Sequence, residues 1–199
     1  MQETYEIKKY SEVRLSDRSA YDKETIYKII DANPIGHVGF LDAGTVMVIP
    51  MNVWRMKNKL YLHCLKGGRL DKVLPANERC SISFAEHNAW VLSKSAYHTS
   101  ANYRSVVAYG KFLAVNDKQE FMASFETFLN QIESGRWNKV RPLSEKEIKA
   151  TSLLSFTIET ASAKSRTGPA KEEPSDLAWD VQAGIIPLNK MRGELQDIY

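Results

Sequence analysis

The fold is decided by residues 37–65, which read HVGFLDAGTVMVIPMNVWRMKNKLYLHCL. β-rich runs at 37–41, 45–54 and 60–64 are separated by the turn signals Asp42-Ala43-Gly44 and Lys57-Asn58. Because such short connections join antiparallel neighbours, they predict consecutive hairpins. The stretch therefore predicts an antiparallel β-meander.

The rest of the chain adds helices and more strands to this meander. Asp22 and either Asn116 or Asp117 predict the starts of two amphipathic helices, and Ser144 with Glu147 predicts a capping box. Further strand patterns lie at residues 80–85, 90–93, 103–115, 153–159 and 184–188. About seven strands in hairpin order favour a mainly β protein with flanking helices, built as an antiparallel barrel, over a doubly wound fold.

Length and composition predict one domain that spans residues 1–199. The hydrophobic fraction of 43% and the charged fraction of 26% are close to the averages of globular proteins. Residues 1–20 are polar and are predicted to form an N-terminal extension. Residues 161–178 are rich in Lys, Glu, Pro and Ser and are predicted to form an exposed loop.

Several classes of function lack support in the sequence. The net charge of +3 is spread along the chain, so we expect no nucleic-acid partner, and no apolar run is long enough to predict a membrane span. Cys64 and Cys80 make neither a disulfide framework nor a zinc spacing, and with no cleavable leader visible we expect a cytoplasmic location. We expect no metal site, and the absence of a hydrolase motif indicates that any chemistry depends on a cofactor.

A candidate anion site lies in residues 61–72, which read YLHCLKGGRLDK. A strand ends there in paired glycines, and a short helix begins with Arg69. Glycines let a backbone approach a phosphate, and Arg69 or Lys72 would supply the countercharge. The alternative is a plain strand-turn-helix corner with solvated charges. His63 ends the strand and on its own is read as a structural histidine.

A second polar stretch covers residues 95–107, which read SAYHTSANYRSVV. Hydroxyl groups, an amide and Arg104 are crowded there before a very apolar strand. Such groups can bind a ligand, and they can also satisfy the backbone of a wide loop. The sequence leaves both interpretations open.

Four groups of residues, taken in order, resemble the pyridoxamine 5′-phosphate oxidase-like family. They are 36–40 with 48–52, 60–63 with the corner formed by Gly67, Gly68 and Arg69, 102–107 with Tyr109-Gly110, and a series of short pieces from Gly135 to Leu188. Within that family they resemble the branch of FMN-binding split barrels that includes nitroimidazole-resistance proteins. The resemblance implies an antiparallel split β-barrel that forms a homodimer, with FMN in clefts between the two subunits.

The resemblance also implies which residues contact the cofactor. The phosphate contact falls on Arg69, with Gly68 and Lys72 beside it, although the family commonly has an arginine and a lysine where this chain has Gly68 and Arg69. The implied cofactor-binding set also contains Val48, Ile49, Pro50, Met51, Asn52, His63, Tyr103, Arg104 and Ser105. His63 is the implied catalytic residue, as a proton donor or substrate orienter. Trp179 is a candidate for closing the cleft from the partner chain, although the family's closing tryptophan lies nearer the position of Gly184.

The function implied by the resemblance is that of an FMN-dependent oxidoreductase. It would pass electrons from a nicotinamide cofactor to a small organic acceptor of the nitro-aromatic or quinone type. One alternative is a flavin-binding module or sensor without turnover. Another is a haem-binding split barrel with His63 or His98 as axial ligand.

Overall fold

The computed structural model describes residues 3–191 and 193–196, so residues 1 and 2 of the N-terminal extension lie outside the described residues. The described helices are α1 (Lys23–Asp31), α2 (Arg69–Ala76), α3 (Lys118–Ile132) and α4 (Glu145–Ala150), with 3₁₀ turns at Ser16–Arg18, Arg136–Lys139 and Asp176–Ala178. The described strands are β1 (Ser19–Ala20), β2 (Ile35–Asp42), β3 (Thr45–Asn52), β4 (Trp54–Met56), β5 (Lys59–Leu65), β6 (Cys80–Leu92), β7 (Ser100–Ala114), β8 (Thr151–Arg166) and β9 (Gly184–Pro187).

The described residues form two compact units, where the sequence predicted one domain. Unit 1 comprises the described residues of Met1–Ala85 and Ser105–Lys164, and unit 2 comprises those of Glu86–Arg104 and Ser165–Tyr199. β6, β7 and β8 each contribute residues to both units. None of the described helices is both long enough and apolar enough to cross a bilayer.

Side-chain caps start three of the helices of unit 1, as the sequence predicted. The Asp22 carboxylate accepts the N–H of Thr25 at 2.8 Å, and Asp117 caps α3 in the same way. Ser144 and Glu147 form the predicted capping box, in which each side chain bonds the other residue's backbone N–H. These caps satisfy amide groups that a helix leaves without partners in its first turn.

The sheet of unit 1 has the strand order β3-β2-β6-β7-β8-β5-β4. β2 and β3 form the predicted hairpin, with Asp42 opposite Thr45 and Ile35 opposite Asn52. A single residue, Val53, separates β3 from β4, although these strands stand at opposite ends of the order. The sheet of unit 1 therefore curls back on itself. Its core contains Ile26, Ile30, Leu60, Leu62, Ile82, Phe84, Phe112 and Phe156, all fully buried.

Two strand predictions were wrong in extent. The sequence predicted separate strands at 80–85 and 90–93, but β6 runs without a break from Cys80 to Leu92. The predicted exposed loop at 161–178 is also wrong in its first part, because β8 continues to Arg166 and buries Ala161 and Ala163. Small residues lowered the apolar signal of this segment even though the strand is covered by its neighbours.

The N-terminal extension covers the end of β8. Ser11 is buried and its hydroxyl lies 2.9 Å from the Thr160 hydroxyl, while β1 pairs with the end of β8. Tyr5 is also buried and its hydroxyl lies 2.9 Å from that of Tyr27 in α1. The described part of the extension therefore packs as an integral part of unit 1.

A second apolar cluster of unit 1 lies under α3. Its buried members are Trp54, Tyr61, Phe121 and Leu153, with Phe125 and Phe128 packed against them. The buried indole N–H of Trp54 donates to the Ser124 hydroxyl at 2.9 Å. The aromatic face of α3 is therefore directed onto β4, β5 and β8.

Unit 2 is held together largely by polar contacts. β9 pairs antiparallel with β6, with Leu92 opposite Gly184. The Glu172 carboxylate accepts hydrogen bonds from the Ser93 hydroxyl at 2.8 Å and from the Lys94 N–H at 3.1 Å. Large apolar side chains of this unit remain exposed, among them Trp90, Trp179 and Met191.

Candidate functional site

The candidate phosphate corner is the turn that joins β5 to α2. Gly67 has a φ of +74°, which favours glycine, and Gly68 is the N-cap of α2. The N–H of Gly68 donates to the carbonyl of Leu65 at 3.0 Å, and no side chain caps the helix. α2 therefore begins at Arg69, in the strand-turn-helix arrangement predicted from the sequence.

Asp71 fixes the shape of this corner. Its carboxylate accepts the N–H of Gly67 at 2.7 Å and the hydroxyl of Ser152 in β8. The hydrogen bonds from Ser152 and Gly67, in that order of effect, hold the pKa of Asp71 below its usual value. The turn is thus tied to the sheet by a carboxylate that stays ionised at neutral pH.

Arg69 extends from the start of α2 to the end of β2, where its guanidinium forms an ion pair with Asp42. In the sequence, Asp42 is visible only as a turn residue. The Arg69 side chain is 53% exposed. An exposed pair of this kind is weak, so its arginine remains accessible to a stronger anion.

Lys72 lies one helical turn after Arg69 and is exposed. It lines a concavity of about 630 Å³ together with Asp42, the partner of Arg69. Within residues 3–191 and 193–196, none of the ion pairs involves Lys72. Two of the sequence-predicted phosphate residues therefore stand beside one open concavity.

β3 carries five residues of the predicted cofactor-binding set, from Val48 to Asn52. Val48, Pro50 and Asn52 are exposed, whereas Ile49 and Met51 are directed toward the core of unit 1. Among the described strands, β3 pairs only with β2. The backbone N–H and C=O groups on its other edge are therefore available for a ligand.

His63 lies on the outer face of β5, beside aromatic rings. Its ring centroid is 6.0 Å from that of Trp54, 5.7 Å from Phe125 and 6.3 Å from Phe128. Part of the imidazole remains exposed, yet desolvation by these neighbours lowers the pKa of His63. Trp54 follows Asn52 by two residues, so His63 stands near the end of β3.

We expect the imidazole of His63 to titrate below 6.5 in the folded protein. The unfolded chain then binds a proton at pH values where the folded chain does not, so the free energy of unfolding should fall as pH decreases through this window. NMR titration checks the pKa, with His63→Gln identifying the signal. In this variant, the free energy of unfolding should also change less with pH in the range where His63 titrates. Titration at 6.5 or above would contradict this assignment.

Ser105 and its two predicted neighbours on β7 fall in different units. The Ser105 hydroxyl, in unit 1, donates to the Lys164 carbonyl at 3.3 Å. In unit 2, Tyr103 is half-buried and the Arg104 guanidinium donates twice to Glu86, at 3.0 and 2.6 Å. The Glu86 side chain is only 7% exposed. In the sequence, the signal that could have indicated this pair is Glu86, a carboxylate within an otherwise apolar strand pattern.

The two arginines of the predicted site are therefore in different environments. Arg69 pairs with a partly exposed carboxylate beside a concavity, whereas Arg104 neutralises a buried one. Removing Arg104 would take a cation away from a buried carboxylate, which is costly. The geometry favours Arg69 as the anion-binding residue. In unit 2, His98 lies 4.0 Å from Glu173, and Trp179 is 68% exposed.

Comparison with known proteins places these features in a family. No curated protein matches the sequence. The flavocytochrome Anf3 from Azotobacter vinelandii is 31% identical, with a TM-score of 0.89 over 96% of this chain and 89% of that one. The FAD and heme binding protein from Mycobacterium smegmatis is 21% identical, with a TM-score of 0.85 over 91% of this chain and 89% of that one.

A more distant structure has the same fold. A candidate 5-nitroimidazole antibiotic resistance protein from Bacteroides thetaiotaomicron is 21% identical, with a TM-score of 0.62 over 73% of this chain and 85% of that one. The sequence-predicted split-barrel fold class is thereby confirmed. Residues 22–165 match the family model described as pyridoxamine 5′-phosphate oxidase. This match covers more than half of the chain, which therefore belongs to the pyridoxamine 5′-phosphate oxidase family.

Proposed function

We propose that this protein is a flavin-dependent oxidoreductase that binds FMN as a homodimer. The observation that carries the proposal is the corner at Arg69 and Lys72, which borders a concavity of about 630 Å³. A phosphate ester carries the negative charge that such a pair of cations attracts, and a guanidinium can bind two of its oxygens at once. The names of the flavocytochrome and of the FAD and heme binding protein support a flavin as the phosphorylated ligand.

The chain's own residues would bind and position the flavin. Arg69 and Lys72 would neutralise the phosphate, and the free edge of β3 from Val48 to Asn52 would offer backbone hydrogen bonds to the ring. Bound flavin would supply the redox chemistry, which agrees with the absence of a hydrolase motif in the sequence. His63 has a lowered pKa, so at neutral pH it would present an uncharged imidazole to a substrate.

A homodimer is supported by the outer face of the β2–β3 hairpin. Ile35, Leu41, Val46 and Val48 are 43%, 54%, 74% and 62% exposed. Leu41 lies opposite Val46, and Val48 follows on the same face of the hairpin, so these three form an exposed apolar patch of a kind that is typical of a protein–protein interface. Because Val48 also belongs to the proposed flavin-binding strand, pairing of two chains through this face would bring the partner near the cofactor. Light scattering should give twice the chain mass of 22.6 kDa.

Titration of the purified protein with FMN, followed by absorbance, tests the proposal. We expect saturable uptake of one flavin per subunit, because the described part of the chain has one such corner. Oxidation of a nicotinamide cofactor in the presence of a quinone or nitro-aromatic compound would then distinguish an enzyme from a flavin-binding module without turnover. Failure to bind either FMN or FAD would reject the proposal.

Haem binding is a second candidate, because His63 suits an axial ligand. A ligating imidazole must be unprotonated, and the lowered pKa of His63 provides that state beside apolar aromatic rings. His98, the other candidate ligand, belongs to unit 2, where its ring lies 4.0 Å from the Glu173 carboxylate. A Soret band after haem addition that is lost in His63→Ala and retained in His98→Ala would support this candidate.

A further inference from the structure

Two buried aromatic side chains of unit 1 connect the partly exposed His63 to the surface beside α3. Trp54 and Tyr61 are 3% and 2% exposed, and they lie opposite each other in the pairing of β4 with β5. Their ring centroids are 6.4 Å apart and their planes are inclined by 21°, and the centroids of Trp54 and His63 are 6.0 Å apart. These separations are typical of aromatic rings in contact, and rings in contact can exchange an electron.

The hydroxyl of Tyr61 is hydrogen-bonded to a base. It donates to Oε1 of Glu120 in α3 at 2.8 Å, and Lys59 Nζ lies 3.1 Å from the same oxygen. A phenol that loses an electron becomes a strong acid, and a carboxylate within hydrogen-bond reach can take up its proton. Burial, and then the bond to Glu120, raise the pKa of Tyr61, so the phenol keeps its proton at neutral pH until it is oxidised.

Trp54 has a different hydrogen-bond partner. Among the described residues, its indole N–H donates to the Ser124 hydroxyl at 2.9 Å. A neutral hydroxyl is a much weaker base than a carboxylate. An oxidised Trp54 would therefore keep its proton and recover its electron from Tyr61, so electrons move from Tyr61 to Trp54.

An open concavity lies beside the phenol of Tyr61. It has a volume of about 370 Å³, belongs to unit 1, and is bordered by Tyr61, Glu120, Met56 and Asn58 among others. The Glu120 side chain is 28% exposed, so water has access to the carboxylate. The concavity has room for a small reductant that would return an electron to Tyr61.

We propose that Trp54 and Tyr61 form a relay that carries an oxidising equivalent from the site beside His63 to the concavity at Glu120. A one-electron oxidant beside His63 takes an electron from Trp54, Trp54 takes one from Tyr61, and the phenolic proton passes to Glu120. A small thiolate in the concavity then gives an electron to Tyr61, and Glu120 returns the proton. The oxidant is thereby reduced by one electron, the thiolate is oxidised by one electron, and the three residues are unchanged. The inference rests on the proposed function for its oxidant, because bound flavin excited by light can take one electron from a nearby ring.

Laser-flash excitation of the FMN-bound protein tests the relay. Transient absorption and electron paramagnetic resonance of frozen samples distinguish tyrosyl from tryptophan radicals. We expect a tyrosyl radical in the wild-type protein, a tryptophan radical in its place in Tyr61→Phe, and neither in Trp54→Phe. Tyr109→Phe removes a half-buried tyrosine hydroxyl of β7 and should behave like the wild-type protein.

Glu120→Gln removes the base and keeps the size of the side chain. We expect the tyrosyl radical to form about 100-fold more slowly, as for the loss of a positioned base, and the tryptophan radical to live longer. Glu126→Gln, at an exposed position of α3, should have no effect. An unchanged rate in Glu120→Gln, or a tyrosyl radical that persists in folded Tyr61→Phe, would overturn the proposal.

A photo-oxidant attached to His63 separates the relay from the flavin function. A ruthenium bipyridine complex can be bound to the imidazole of His63 once His37, His87 and His98 are replaced by glutamine. Flash excitation with an electron-accepting quencher then oxidises the protein without flavin. A radical at Tyr61 in this protein, with no uptake of FMN by the wild-type chain, would overturn the flavin function alone. Uptake of FMN with no radical at Tyr61 in either experiment would overturn the relay alone.

Discussion

Replacing Gly110 with alanine is expected to destabilise the protein by about 3 kcal/mol or more. Gly110 lies in the buried part of β7, against β8. A Cβ atom there would overlap the carbonyl oxygen of Thr157 and come within 3.1 Å of the Phe156 ring. Because the obstacle is backbone rather than a flexible side chain, two central strands of unit 1 would have to separate. Urea denaturation followed by tryptophan fluorescence measures the change.

A matched glycine provides the control for this prediction. Gly184 lies in β9, and a Cβ atom added there meets no other atom within 4 Å. We expect Gly184→Ala to change the free energy of unfolding by less than about 0.5 kcal/mol. A Gly110→Ala variant that unfolds at the wild-type urea concentration would show that β7 and β8 are farther apart than the structure places them.

The elements with strong local signals were predicted well from the sequence. Asp22, Asp117 and the Ser144–Glu147 pair each marked a helix start, because capping uses a short polar side chain at a fixed spacing. The β2–β3 hairpin followed from its three-residue turn signal in the same way. Such features depend on a few consecutive residues, so neighbouring residues are sufficient to predict them.

Features that depend on distant partners could not be predicted. Glu86 interrupts the apolar pattern of β6, and within this continuous strand it pairs with Arg104 of β7. Ala161 and Ala163 have weak strand signals, and they are buried because the N-terminal segment and β1 cover this end of β8. Periodicity records the apolar face of an element, and it does not record which distant segment covers that face.

In the candidate site, too, the local features were predicted from the sequence and the distant partners were not. The glycine corner and the start of α2 were predicted from local sequence, and the structure has both. The carboxylates that hold the predicted arginines, Asp42 and Glu86, were missed because they lie 27 and 18 residues away in the chain. One pair forms because the fold brings α2 to the end of β2, and the other because β6 lies beside β7 in the sheet.

Arg69→Ala is expected to weaken FMN binding by about 10- to 100-fold, as for the loss of a charge-assisted phosphate contact of roughly 1.5–3 kcal/mol. Fluorescence titration of the flavin measures the dissociation constant. Riboflavin lacks the phosphate, so its affinity should be unchanged in the variant. Folding should be unaffected, because the Arg69–Asp42 pair is exposed and such pairs contribute little to stability.

Two other arginine variants test whether the loss of FMN affinity is specific to Arg69 at the start of α2. Arg141 also forms an exposed ion pair, with Glu147, and lies away from α2 in the chain, so Arg141→Ala should leave the FMN affinity unchanged. Arg104→Ala should lower stability, because the buried Glu86 carboxylate would lose its ion pair with the Arg104 guanidinium. Suppose that folded Arg104→Ala lost FMN affinity but kept its riboflavin affinity, and that Arg69→Ala bound FMN normally. The phosphate would then be assigned to Arg104. The assignment to α2 would then be wrong.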